Sequence, residues 1–172
     1  MEAAMQKITP FLWFDHQAVD AADLYVSLFK NSKIAGTTYY GEAGPRPAGT
    51  IMTVTFQLEG QEFTALNGGP EFSITPAISF FVSCETKEEV DQLFQALSAG
   101  GQVFMPLDQY PFSERFAWVG DRFGVSWQLN LGPRAQKISP YFTFVGAQHG
   151  KVGEALNLYV SLFKDSGIQA MQ

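Results

Sequence analysis

The chain has 172 residues, 46% hydrophobic and 16% charged, so it can bury a core and is not disordered. A net charge of −6, with no run of Lys and Arg, argues against nucleic acid or an anionic membrane as partner. The one cysteine, Cys84, rules out a disulfide within the chain and suits a reducing compartment. It lies in an apolar run, and His16 and His149 are the only histidines to serve it as base, so it reads as a buried, inert thiol. No apolar stretch approaches the roughly 18 residues of a membrane-spanning helix. Met1 to Lys7 shows no signal-peptide pattern, so a soluble, cytoplasmic protein is expected.

In chain order, Lys7 to Phe14 reads as a strand. Ala18, Ala21, Ala22, Tyr25, Leu28 and Phe29 then follow the spacing of an amphipathic helix. Asp15 and His16 stand between them; an Asp–His pair suits a general base, but a helix-capping loop through Asp15 explains it more simply. Met52, Val54, Phe56 and Leu58 alternate with Thr53, Thr55 and Gln57, the pattern of a half-buried strand that turns at Glu59 to Gln61 into another up to Asn67. Ala77 to Cys84 is a strand. Thr86 to Glu89 is a capping box that opens a helix ending at Gly100 and Gly101. Met105 to Ser113 reads as a long Pro-bearing loop able to close over a cavity mouth, with Asp108, Glu114 and Arg115 as loop charges. Phe116 to Val119 and Val125 to Asn130 form a hairpin around Asp121 to Gly124.

A repeat organises these elements. Lys7-Ile8-Thr9-Pro10-Phe11-Leu12-Trp13-Phe14 returns as Lys137-Ile138-Ser139-Pro140-Tyr141-Phe142-Thr143-Phe144, and Leu24 to Lys30 returns unchanged as Leu158 to Lys164. Inside the first copy, Ile74-Thr75-Pro76 echoes Ile8-Thr9-Pro10, and Leu-Asn-x-Gly-Pro closes both units, at Leu66 to Pro70 and Leu129 to Pro133. Each unit reads βαβββ, one over 7–70 and one over 74–133; a third, 137–172, begins and stops after its helix, with His149 in its loop. The expected fold class is α+β: paired βαβββ modules forming a curled, half-open mixed sheet with helices outside.

Several stretches carry a family resemblance: Ile8 to Phe14, Ala21 to Phe29, Ala65 to Pro70, Pro76 to Val82, and Trp118 to Gln128. Over residues 7–133 the chain resembles the PhnB-like branch of the glyoxalase/bleomycin-resistance (vicinal oxygen chelate) superfamily. Proteins of this branch also bear the label 3-demethylubiquinone-9 3-methyltransferase-like. No Gly-rich turn after a strand, of the type that cradles a nucleotide-like cofactor, accompanies that label here. The resemblance implies four metal-ligand positions at the mouth of the curled sheet, which map to Thr9, Ala65, Ala77 and Gln128. Of these, Gln128 alone offers a usual donor, so no metal and no other cofactor are expected.

By strand alternation, Trp13, Thr53, Thr55, Asn67, Phe81, Gln128 and Asn130 share cavity-facing positions, with Ala65, Ala77 and Ser79 beside them. Aromatics mixed with small polar groups are how small-molecule cavities are lined. The expected function is small-molecule binding without a divalent metal. The alternative is a lyase or oxygenase, either with shifted metal ligands or metal-free with Gln128 and Asn67 polarising an oxygen; whether the chain is an enzyme stays open. A lone strand–helix unit cannot bury its apolar faces by itself. Either it docks on a second chain or it belongs to a shortened form of a longer relative. A homodimer to which 137–172 contributes is expected.

Overall fold

The computed structural model describes residues 8–132, 134 and 136–170; Lys7 and Pro133, which bound the expected modules, lie outside the described residues. The elements run β1 (Phe11–Phe14), α1 (Ala18–Leu28), β2 (Lys33–Tyr39), β3 (Ile51–Leu58) and β4 (Gln61–Asn67). There follow β5 (Ile78–Cys84), α2 (Lys87–Ser98), β6 (Gln102–Tyr110), β7 (Ser113–Gly120) and β8 (Ser126–Leu131). Last come β9 (Ile138–Phe142), a short 3-10 turn at Gly146–Gln148 and α3 (Val152–Leu162). The order βαβββ thus occurs twice before the final strand and helix.

The strands form two open mixed sheets. The first has the order β1-β4-β3-β2 and the second β6-β7-β8-β5-β9. In each, the first and last strand of the βαβββ run pair in parallel, β1 with β4 and β5 with β8; the described registers of their other pairs are antiparallel. One compact unit ends at Tyr141 and a second begins at Phe142. In the first, the inner faces of both sheets share a core with α1 and α2. Phe63 on β4 meets Phe80 on β5 at 5.3 Å between ring centres, and Trp127 on β8 meets Phe80, Tyr25 and Phe29 at 5.3, 5.1 and 5.7 Å. Leu12, Phe14, Val54, Phe56, Val82 and Leu129 are all buried, whereas Ile78 at the start of β5 is 49% exposed.

The capping box forms at α2: Thr86 Oγ1 accepts from the Glu89 N–H at 3.1 Å, and Glu89 Oε2 accepts from the N–H of Glu85 at 2.7 Å. Asp15 does not cap α1. It pairs with Arg46 at 2.9 Å and with His16, and the first N–H of the helix, at Ala18, instead donates to Asn67 Oδ1 at 2.9 Å. The β2 strand has no counterpart in the sequence reading, because its residues are exposed throughout and show no alternation. Met105 to Ser113 is no lid loop. Most of it is edge strand β6, where Pro106 is accommodated by register shifts against β7. Arg115 and Glu114 are held on α2, at Asp91 (2.8 Å) and Lys87 (3.7 Å).

A buried carboxyl group joins the two modules. Asp121 is buried after β7. Its Oδ1 accepts from the N–H groups of Phe123 and Val125 at 2.8 and 3.0 Å, which shapes the turn that Gly124 completes at φ 86°. Its Oδ2 accepts from the Tyr25 hydroxyl of α1 at 2.7 Å and from Trp127 Nε1 at 2.9 Å. Burial raises the carboxyl pKa, and the hydrogen bonds from Tyr25 and Trp127 pull against that rise. Burial also pushes the Tyr25 phenol well above its usual value, so it stays a donor. In Asp121→Asn one oxygen becomes an NH2 facing donors. The expected loss is about 2–4 kcal/mol in urea unfolding, and Tyr25→Phe should lose about 1–2 kcal/mol.

Candidate functional site

The registers decide which side chains share the outer faces. In the first sheet Trp13 is level with Leu66, and Phe11 with Thr64; Thr53 is level with Leu66, and Thr55 with Thr64. Trp13, Thr53 and Thr55 therefore stand together with Thr64 and Leu66. In the second sheet Phe81 is level with Gln128, Ser79 with Ser126 and Ser83 with Asn130, while Trp118 on β7 is level with Gln128. Phe81, Gln128 and Asn130 therefore stand together with Ser79, Ser126 and Trp118. Because the inner faces share one core, these outer faces are two separate surfaces rather than one cavity.

Asn67 departs from the expectation, and Ala65 with it. Phe63, Ala65 and Asn67 are the buried positions of β4 and face inward. Both polar ends of Asn67 are engaged, Oδ1 with the N–H of Ala18 and Nδ2 with the carbonyl of Ile51 at 3.1 Å. It is an inward clamp between α1 and β3. The sequence shows the alternation within β4 but not its phase, and Asn, a polar residue, misleads about the face. Ala77 precedes β5 and is exposed. Of the four mapped ligand positions, Ala65 thus faces inward while Gln128 lies on an outer face. Among the described residues no group of three or more His, Cys, Asp or Glu is placed to hold a metal ion.

The first face is built around Trp13. Its Nε1 donates to the carbonyl of Gly69 at 2.8 Å, and Phe72 meets it edge-on at 5.0 Å. Gly68 lies directly against the indole: a Cβ there would stand 2.4 Å from ring atoms. Thr53 Oγ1 shares a hydrogen bond with Thr38 Oγ1 at 2.6 Å. On the second face Gln128 Nε2 donates to Ser79 Oγ at 2.8 Å and Trp118 Nε1 donates to Ser126 Oγ at 2.8 Å. Asn130 Nδ2 donates to the neighbouring carbonyl of Leu131 at 3.0 Å. Phe81 is covered: the Arg134 guanidinium lies 4.4 Å from its ring centre and Tyr141 stacks on it at 6.2 Å. Sequence reasoning missed Trp118, Arg134 and Tyr141 as parts of this face. Trp118 was legible as a motif residue, but its level with Gln128 needed the β7–β8 register.

A separate open groove of about 630 Å³ lies at the β6–β7 turn, between Tyr110, Phe112 and Glu114 on one side and Glu85 and Leu131 on the other. It is open and lined mainly by turn residues, and the aromatic–polar sets remain the better candidates on chemistry. Cys84 is buried on β5, and burial pushes its thiol up to about 12.

Paired βαβββ runs in open mixed sheets define the glyoxalase-like fold. A glyoxalase-related enzyme from Fulvimarina pelagi superposes with a TM-score of 0.50 at 14% identity, over 80% of this chain and 99% of that one. The fosfomycin resistance protein FosX of Listeria monocytogenes, solved with Mn(II) and a dihydroxypropylphosphonic acid, superposes with a TM-score of 0.52 at 16% identity, over 77% and 96%. More similar is a Bacillus cereus PhnB protein described as a putative 3-demethylubiquinone-9 3-methyltransferase, with a TM-score of 0.69 at 46% identity, over 74% of this chain and all of that one. Residues 6–130 match the model of the 3-demethylubiquinone-9 3-methyltransferase family, and the chain belongs to that family. No curated protein matches.

Two outcomes test this geometry. Gly68→Ala must displace Trp13, at a cost of about 1–3 kcal/mol for the overpacked site, seen as a lower unfolding midpoint with a shift in indole emission. Cys84 should resist iodoacetamide at pH 8 in the folded protein and react once urea unfolds it, as read by mass spectrometry.

Proposed function

We propose that the chain is a small-molecule-binding protein of the glyoxalase/bleomycin-resistance fold that works without the divalent metal of that superfamily. One observation carries this reading: Phe81, Trp118, Gln128 and Ser79 share one outer face, with the Gln128 amide anchored on Ser79. That combination of flat aromatic surface and fixed polar groups orients a small ligand. Trp13, Thr53 and Thr55 form a second such wall. The donor set at the mapped ligand positions supports the metal-free reading. A lyase or oxygenase on the same faces has less support, because Asn67 faces inward and leaves Gln128 alone to polarise an oxygen.

The chain works as a homodimer to which 137–172 contributes. Two walls on separate faces each call for a second surface. The α3 helix exposes Leu158, Tyr159, Leu162 and Phe163, whereas α1, with the same Leu-Tyr-Val-Ser-Leu-Phe-Lys run, buries Tyr25 and Phe29. The lack of any described helix long and apolar enough to cross a membrane, and the single buried thiol, fit a soluble cytoplasmic protein.

The deciding experiment is metal retention. The purified protein is incubated with zinc, nickel, manganese or iron(II), dialysed, and its bound ions counted by mass spectrometry. Far less than one ion per chain is expected; one ion per chain overturns the metal-free reading. For a ligand found by a fluorescence screen, Gln128→Ala should weaken binding about tenfold, the value of one lost hydrogen bond. Light scattering should give a dimer, and Leu162→Glu should shift it toward monomer.

A further inference from the structure

The hairpin that joins β6 to β7 turns on two residues, Pro111 and Phe112, with Tyr110 level with Ser113 across it. Pro suits a turn, but Gly or a small polar residue usually completes one, and here Phe112 stands 64% exposed. Its ring is held in place all the same. It stacks on Tyr110 at 5.5 Å between ring centres, with 17° between the planes, and meets Phe116 edge-on at 5.1 Å. Phe116 is buried, and the Tyr110 hydroxyl donates to the carbonyl of Pro106 at 2.9 Å. The two exposed rings therefore form a fixed ledge. That ledge is one side of the open groove of about 630 Å³.

The groove carries charge of one sign. Glu114 and Glu85 stand on its two sides, and no Lys, Arg or His is among the described residues that line it. Among the described residues, Glu114 has Lys87 alone within ion-pairing distance, at 3.7 Å and with both side chains exposed, a pairing of little strength. Glu85 uses its N–H in the α2 cap, where Glu89 accepts it, but its carboxylate has no cation beside it among the described residues. The faces of aromatic rings attract cations through their quadrupole, and two underused carboxylates add net charge to that attraction. We infer that this groove is a binding site for a small organic cation, an alkyl- or arylammonium group that lies against Phe112 and Tyr110 with its charge between Glu85 and Glu114. The volume is that of a small-molecule site. A neutral ligand of the same shape gains the apolar contact and none of the electrostatic attraction, and an anion is repelled. The site lies apart from the aromatic–polar outer faces and goes beyond the binding reading made for them.

The test titrates benzyltrimethylammonium into the full chain and follows backbone amide shifts by NMR. Saturable shifts are expected at Tyr110 to Glu114, Glu85 and Leu131, and added salt should weaken them. Benzoate should give none there, and benzyl alcohol, the neutral counterpart, should bind about fivefold more weakly. Phe112→Leu keeps an apolar side chain but removes the ring, and should weaken the ammonium about threefold to fivefold, whereas Phe112→Trp should retain it. Glu85→Gln combined with Glu114→Gln should weaken it by a similar factor. All three positions are exposed, and an unchanged unfolding midpoint verifies the fold of each variant. No saturable shift at the groove, shifts confined to the surroundings of Trp13 or Trp118, or equal binding of benzyl alcohol overturns the proposal. So does a Lys-rich peptide that binds the groove where the ammonium does not, since the partner is then a protein. Failure of the ligand screen on the outer faces counts against the reading made there and leaves these shifts unmoved.

Discussion

The Asp121 carboxylate is the interaction on which the rest depends. It closes its own turn with two main-chain bonds and accepts the Tyr25 hydroxyl and the Trp127 indole with its other oxygen. Tyr25 belongs to the helix of the first module and Trp127 to the last strand of the second. A buried carboxylate is costly unless its acceptor sites are used, and here both oxygens are. The bond therefore sets not only that the modules meet but which way round. The inner faces are turned together around Phe63, Phe80 and Trp127, and Trp13, Phe81 and Trp118 stand on the opposite faces.

That orientation decides where function can sit. The inner faces are filled by Phe, Leu and Val, and their buried polar groups, Asp121 and Asn67, are taken up by structural bonds. The outer faces hold the Thr, Ser and Gln side chains together with Trp13, Phe81 and Trp118. Their polar groups are already tied to one another, Gln128 to Ser79, Trp118 to Ser126 and Thr53 to Thr38. Such pairing fixes the rotamers of these side chains.

The repeat shows how one sequence satisfies itself differently in two places. In both copies the strand sits at a sheet end, β1 beside β4 and β9 beside β5, but the helix is covered in the first copy and exposed in the last. Nothing intrinsic to Leu-Tyr-Val-Ser-Leu-Phe-Lys distinguishes these fates. In the first copy, the three strands that follow α1 pack against it.

The sequence by itself determined the strand–helix opening of each module, its last two strands, the α2 cap, the Asp121 turn and the family, because periodicity, capping chemistry and Gly-Asp turn signals are local properties. Residue identity alone also shows that the positions to which the family resemblance maps metal ligands are poor in donors. Strand β2 was not legible, because an exposed edge strand needs no alternation. The Met105 to Ser113 strand was hidden by Pro106, which edge position and register shifts make tolerable. The faces of Ala65 and Asn67 were decided by tertiary structure alone. Alternation gives a strand two faces but no absolute phase, and only pairing with β1 and β3 shows that Thr64 and Leu66, not Ala65 and Asn67, stand beside Trp13. Pairing likewise placed β9 on β5 and Tyr141 on Phe81, a contact between distant segments that no local pattern encodes.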